Sequence, residues 1–358
     1  MQPFQEHAAS SLARRYSSAV QVLITGGTGF VGSHTVNAVA HAGHDVRLLV
    51  RSKKRVAPAL DPLEVDPPPL VVGDATDPGA VREALDGCDA VIHCAAVFSY
   101  HPRHAADMAT TNLRAAEVVL RSALEEGCDP VVNCSSIVAL LPVRTPTISP
   151  DTPVGDARGV YVRSKAEVEA FARGLQAEGG PVVSVLPGAV CGPHDPYVGE
   201  TNENFIRRPL RGLLPFGVAR ASAQMLDVRE LAAVFAACLT PGRGSRTYVV
   251  GRRITWNGAF EILRRLTGRR LPQFPTPAPV ARAGGLAFSG LARLGVPPLF
   301  TKDSVSVILE DWAQSDESAL RDDLGVAEMP LETAFADTIR WMVEAGHLRP
   351  SQAGALVD

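Results

Sequence analysis

The chain has 358 residues, 46% of them hydrophobic and 20% charged, with a formal net charge of -3. That is enough chain to bury a sizeable core, and it lacks the basic excess that sequence-independent nucleic-acid binding needs. Six cysteines occur without a CxxC pair, most of them inside or beside apolar runs, and read as reduced thiols of a cytoplasmic protein.

Residues 1–19 contain Arg14 and Arg15 but no apolar h-region, so they read as a flexible tail rather than a secretory signal. No run of 18 apolar residues is present to span a bilayer. From residue 20 onward, short Val/Ile/Leu runs alternate with helical patterns. The predicted strands are VQVLIT, DVRLLV, PLVVGD, DAVIHCAA, DPVVNCSS and PVVSVLP. Between them lie SHTVNAVAHAG, PGAVREALDG and NLRAAEVVLRSALEEG, helical stretches that run into glycines suited to a C-terminal cap. Strand, helix, strand order predicts an α/β fold, a doubly wound parallel sheet of the Rossmann type over residues 20–190. Its ligand crevice should lie beyond the carboxyl ends of the strands.

After Pro187 the rhythm breaks into Gly-, Pro- and Arg-rich segments with short helices such as DVRELAAVFAACL and TWNGAFEILRRLTG. Residues 191–358 are expected to form a smaller substrate-binding lobe over the crevice, interleaved with the last strands of the sheet. The run at 271–300 is rich in proline and then in apolar residues and glycine; its 280–300 part suits a peripheral membrane contact, a cover over the pocket or a dimer contact.

VLITGGTGFVG places Gly26, Gly29 and Gly32 between a strand and a helix. A dinucleotide needs one glycine for the turn, one for close approach of the pyrophosphate and one for helix-to-sheet contact, with phosphate at the positive helix end. Thr28, Phe30 and Val31 share that loop. The second strand ends in Arg51, Ser52, Lys53, Lys54 and Arg55, where an NAD-specific protein would present a carboxylate to the ribose. Arg51, supported by Lys54, can hold a 2′-phosphate in a charge-assisted fork, so NADP is favoured over NAD; the alternative is a solvated basic turn. Asp74 can accept a bond from the adenine amino group with Ala75 beside it, whereas Asp77 reads as the N-cap of the next helix before Pro78. Ala95 and Ala96 follow the fourth strand and leave room for the cofactor. His93 within that strand reads as structural.

These motifs resemble the extended short-chain dehydrogenase/reductases, the NAD-dependent epimerase/dehydratase family. TGGTGFVG (25–32), NCSSIVAL (133–140), YVRSK (161–165) and LPGAVCGP (186–193) occur in the family's order. The resemblance implies that Tyr161 is the general acid/base, that Lys165 binds the nicotinamide ribose and lowers the tyrosine pKa, and that Ser136 rather than Ser135 holds the substrate oxygen. It also implies that Asn112 lies near the site, although the usual Gly-Thr after it is Ala115-Ala116 here. Pro187, Gly188 and Val190 would meet the nicotinamide amide, and family members often pair as homodimers. Independently, a free tyrosine titrates near ~10, and a neighbouring ammonium favours its ionised form. Four-residue spacing puts Tyr161 and Lys165 on one helical face.

HCAAVFSY, the basic second-strand end and MLDVRELAAVF look most similar to the dihydroflavonol-reductase and 3β-hydroxysteroid-dehydrogenase branch. This implies ketone–alcohol interconversion on a bulky apolar small molecule, with Phe98, Tyr100 and Phe205 as aromatic walls or core residues. A nucleotide-sugar epimerase or dehydratase retaining NAD, with Arg207, Arg208, Arg211 and Arg220 on a diphosphate, is the second reading. A non-catalytic cofactor-binding sensor or scaffold is the third.

Overall fold

The computed structural model describes residues 19–97, 105–156, 159–213, 216–217, 221–293 and 301–357. The expected tail at 1–19, Ala19 apart, therefore lies outside the described residues.

Six strands form where expected: β1 (Gln21–Thr25), β2 (Asp45–Val50), β3 (Leu70–Val72), β4 (Ala90–His93), β5 (Val131–Cys134) and β6 (Val182–Pro187). The apolar runs inside the sheet are buried on both faces, every residue of β4 and β6 among them, whereas the edge strand β3 leaves Val72 exposed. The helices between them include α1 (Phe30–His41), α2 (Pro78–Leu85), α3 (Ala105–Glu125) and α4 (Val160–Ala177). Asp77 caps α2, its carboxylate accepting from Gly79 N at 2.8 Å, with Pro78 at the first helical position. Gly43, Gly87 and Gly127 follow α1, α2 and α3 at φ of +87°, +70° and +79°, the left-handed conformation that ends a helix.

The second half contributes β7 (Ala189–Cys191), β8 (Ser222–Asp227), α5 (Val228–Ala237), β9 (Arg246–Val250), β10 (Arg252–Thr255) and α6 (Trp256–Thr267). Among the described residues the main sheet has seven parallel strands in the order β9-β6-β5-β4-β1-β2-β3. The order reverses between β1 and β4, and ligands of open α/β sheets bind at such a switch point.

Two parts of the C-terminal half belong to this sheet. β9 pairs with β6 as the seventh strand. Helix α5, taken from the sequence as part of the smaller lobe, buries Leu231, Val234 and Phe235 in one core with Val36 and Val39 of α1. On the opposite face Val81 of α2, Val119 and Leu120 of α3, and Val168 and Leu175 of α4 pack against Leu23 and Val91. A separate cluster of Phe205, Met225, Trp256, Phe260, Phe335 and Ile339 sits beside the three-stranded sheet β10-β8-β7.

The 271–300 run contains helix α7 (Ala278–Arg293), which packs on α8 (Lys302–Ile308); Lys302 N donates to Ser289 Oγ at 2.8 Å. Val280, Leu286 and Leu291 of α7 are exposed. Residues 294–300 lie outside the described residues, and no described helix is long and apolar enough to cross a membrane.

Candidate active site

The glycine turn after β1 is sterically obligatory. Gly26 has φ +75°, and a Cβ there would lie 2.7 Å from Ala95 N; a Cβ on Gly32 would lie 2.1 Å from Gly26 O. Gly29 N donates to that same carbonyl at 2.9 Å. No side chain caps the first turn of α1, so its backbone donors are left to a ligand in the crevice. A cradle that a Cβ would fill, at an uncapped helix N-terminus beside the switch point, fits a dinucleotide pyrophosphate. Thr28 O accepts from the Tyr197 hydroxyl at 3.4 Å, Phe30 meets the His34 ring edge-on at 5.6 Å, and Val31 packs on the core beneath.

His34 is buried, and its Nε2 donates to Pro193 O at 3.0 Å, which fixes the ring proton on that nitrogen. Burial pushes its pKa down to about 3. His93 behaves likewise: its Nδ1 bonds Thr25 Oγ1 at 2.8 Å, and burial together with the Lys165 charge lowers it to about 3. Thr25 Oγ1 also accepts from Ala95 N at 3.3 Å, tying the small-residue loop of Ala95 and the exposed Ala96 to β1.

Arg51 leaves the end of β2 exposed, and Lys54 is exposed on the short turn Lys53–Arg55. Asp74, past the end of β3, accepts from Thr76 N at 2.9 Å and Thr76 Oγ1 at 2.8 Å. Burial opposes its ionisation, but the Thr76 bonds and the Arg51 charge prevail and hold the carboxyl below its usual range. Arg51 and Asp74 therefore share one end of the crevice, and Ala75 packs beneath them.

At the other end, Ser136 Oγ accepts from Val138 N at 3.4 Å and donates to Pro187 O at 3.5 Å. The Tyr161 hydroxyl, from the first turn of α4, is hydrogen-bonded to Ser136. That contact distinguishes Ser136 from Ser135, whose buried Oγ has no partner among the described residues. Lys165, one turn on, is buried, with Nζ donating to Cys134 O at 3.4 Å. The implied lowering of the Tyr161 pKa by Lys165 is not what the protein groups produce. Burial pushes the phenol up, the Ser136 bond lowers it only in part, and Cys134 and Glu200 raise it further. Lys165 acts instead on His93, Cys94 and Cys134.

Asn112 is linked to Tyr161 through Ser164. Its amide accepts from Val97 N at 2.7 Å, donates to Val97 O at 3.0 Å, and donates to Ser164 Oγ at 3.3 Å; Ser164 Oγ in turn donates to Tyr161 O at 2.9 Å. It locks the loop after β4 to the helix that carries Tyr161, a positioning role. Pro187 and Gly188 close β6; Gly188 N donates to Val250 O at 2.8 Å, and a Cβ on Gly188 would lie 2.3 Å from Gln224 O. Val190 follows on β7, half-buried.

Of the aromatic candidates, Phe98 and Tyr100 lie outside the described residues. Phe205 is buried and stacked on Trp256, centroids 4.3 Å apart, in the core of the second cluster instead of on an open wall. Arg207 and Arg208 both bond Glu203, and Arg207 and Arg211 line a cavity of ≈ 430 Å³ with His347 and Arg349. Arg220 lies outside the described residues. Tyr197 over the glycine turn, Ser164 behind Asn112 and the Cys134 carbonyl under Lys165 went unseen in the sequence, because each is defined by a contact between distant segments.

A Rossmann sheet with a glycine cradle at its switch point and a Ser-Tyr-Lys group at the ends of β5 and α4 defines a short-chain dehydrogenase/reductase. The chain belongs to the NAD dependent epimerase/dehydratase family, whose model matches residues 22–251. It is accordingly an NAD(P)-dependent enzyme of the extended type. It is 29% identical over 337 residues to sterol demethylase protein B of Methylococcus capsulatus, covering 90% of this chain and 98% of that one. It is 29% identical over 336 residues to a dihydroflavonol 4-reductase-like protein of Synechocystis sp., covering 91% and 95%. The crystal structure of gox2253 superposes with a TM-score of 0.76 at 26% identity, covering 92% of this chain and 99% of that one.

Proposed function

We propose that this enzyme interconverts a ketone and a secondary alcohol on a bulky apolar substrate, with NADP(H) as cofactor. The observation that carries the reading is the Ser136–Tyr161 hydrogen bond one helical turn from Lys165. When bound, the dinucleotide supplies or removes the hydride. Ser136 holds the substrate oxygen and Tyr161 gives it a proton as negative charge develops. A phenol raised by burial stays protonated at neutral pH, the form required of a proton donor in the reductive direction. Lys165 and the Cys134 carbonyl orient the ribose end of the crevice; Gly26, Gly29 and the first turn of α1 hold the phosphates.

Arg51 and Lys54 support NADP over NAD, since both are exposed cations where the ribose 2′ position would lie. Ketone–alcohol chemistry is favoured over a nucleotide sugar by the Glu203 pairing of Arg207 and Arg208, which satisfies two of the arginines a diphosphate would need. The sterol and dihydroflavonol relatives favour a bulky apolar substrate.

Tyr161→Phe removes the proton donor and leaves the glycine cradle intact. Turnover should fall by about 10²- to 10⁴-fold with dinucleotide affinity little changed. Steady-state kinetics beside a fluorescence titration would show this, and turnover at the parent rate would remove Tyr161 from the mechanism.

A further inference from the structure

The thiols of Cys94 and Cys134 take part in no step above, yet both residues stand at the carboxyl ends of their strands, where the crevice lies. β4 and β5 pair in parallel with His93 opposite Asn133, so Cys94 and Cys134 are the next neighbours in the same register. Adjacent strands lie about 4.8 Å apart, inside the Cα separation of about 4.4–6.8 Å that a disulfide spans. The two are half-buried, whereas Cys88, Cys128, Cys191 and Cys238 are buried. The two thiols act on each other, and the Lys165 ammonium, which donates to Cys134 O at 3.4 Å, acts on both. Their coupling and the Lys165 charge hold the Cys134 thiol below its usual range, while the coupling and burial hold Cys94 above it. A thiol that ionises readily beside one that does not is the pairing of an attacking and a resolving cysteine.

We propose that Cys94 and Cys134 form a redox-modifiable dithiol under the cofactor crevice, which a hydroperoxide converts to a disulfide. The Cys134 thiolate attacks a peroxide oxygen and the O–O bond breaks; hydrogen peroxide leaves Cys134 as sulfenic acid and, with the thiol proton, releases one water. The Cys94 sulfur then attacks the Cys134 sulfur, the S–O bond breaks, and the hydroxyl leaves with the Cys94 proton as a second water. Two thiols are oxidised by two electrons and one peroxide is reduced to two waters. A bound dinucleotide shields both sulfurs, so occupancy and oxidation exclude each other; this clause rests on the cofactor site proposed above.

The test treats the full chain with hydrogen peroxide, digests it without reductant and maps linked peptides by mass spectrometry. A Cys94–Cys134 link that dithiothreitol reverses is expected, and Cys94→Ser should yield no link and a dimedone-trapped sulfenic acid at Cys134. Oxidation spread evenly over all six cysteines, or no link at all in the parent, overturns the dithiol whatever the dinucleotide does. NADP⁺ at about 100 Kd should slow linkage roughly a hundredfold. A link forming equally fast in its presence would leave the dithiol standing and overturn the shielding clause alone.

Discussion

Arg51 stands at the end of β2 as an exposed guanidinium whose charge reaches the Asp74 carboxylate. Reversing that charge should weaken a 2′-phosphate through loss of a charge-assisted bond of about 1.5–3 kcal/mol, roughly tenfold or more in affinity. Arg51→Asp is therefore expected to weaken NADPH binding while leaving NADH nearly unchanged, as read by paired fluorescence titrations; equal losses for both would remove Arg51 from cofactor choice. The buried histidines carry a second residue-scale consequence. His34 falls from 6.5 to about 3 on folding, so between those values the unfolded chain binds the proton and the folded one does not. Its stabilising contribution is complete above about pH 6.5 and is lost as the pH drops toward 3, at up to ~1.4 kcal/mol per pH unit. Urea midpoints followed from neutral pH to about pH 4 should decline less steeply in His34→Gln than in the parent; parallel slopes would contradict the assignment.

At the scale of elements, what the sequence disclosed follows the local signals. The inner strands between Gln21 and Pro187 were legible because burial on both faces demands unbroken Val/Ile/Leu runs. The glycine turn was legible because its steric demand admits no side chain. Interleaving of the second half with the sheet was expected, but the places of β9 and α5 were not legible, since the chain leaves the sheet for β7 and β8 and returns only afterwards, and nothing local marks which sheet a strand or helix rejoins. The Tyr161 pKa escaped for the same kind of reason: spacing places Lys165 one turn away, but burial sets the direction of the shift. A polar joint fastens α5 where the sequence did not place it. Glu230 is fully buried and accepts from Arg252 at 2.9 and 2.8 Å, from Arg321 at 2.7 Å and from Met329 N at 3.1 Å. Arg252 lies on β10 and Arg321 on α9 (Ser318–Leu324), so one carboxylate joins three elements. Glu230→Ala leaves two guanidinium groups without it and should cost about 3–5 kcal/mol. Thermal unfolding would show a Tm lowered by several degrees, and an unchanged Tm would mean that the joint is dispensable.

For the whole molecule, two cores meet where β6 passes into β7: the sheet carries the glycine cradle and the Ser-Tyr-Lys group, and the second cluster buries Phe205 and Trp256 beyond it. The catalytic half was readable because its chemistry demands fixed residue types at fixed spacing. Substrate choice was less so, because an aromatic residue reads alike as pocket wall or as core, and Phe205 proved to be core. The central claim, NADP(H)-linked interconversion of a bulky apolar ketone and its alcohol, is tested most directly by one assay. The purified chain is given NADPH or NADH with a panel of steroid and flavonoid ketones and nucleotide sugars, and dinucleotide consumption is followed together with the product formed. The expected result is NADPH consumed one for one with alcohol from a steroid or flavonoid ketone, and more slowly with NADH. Conversion of a nucleotide sugar with no net consumption of either dinucleotide would contradict it.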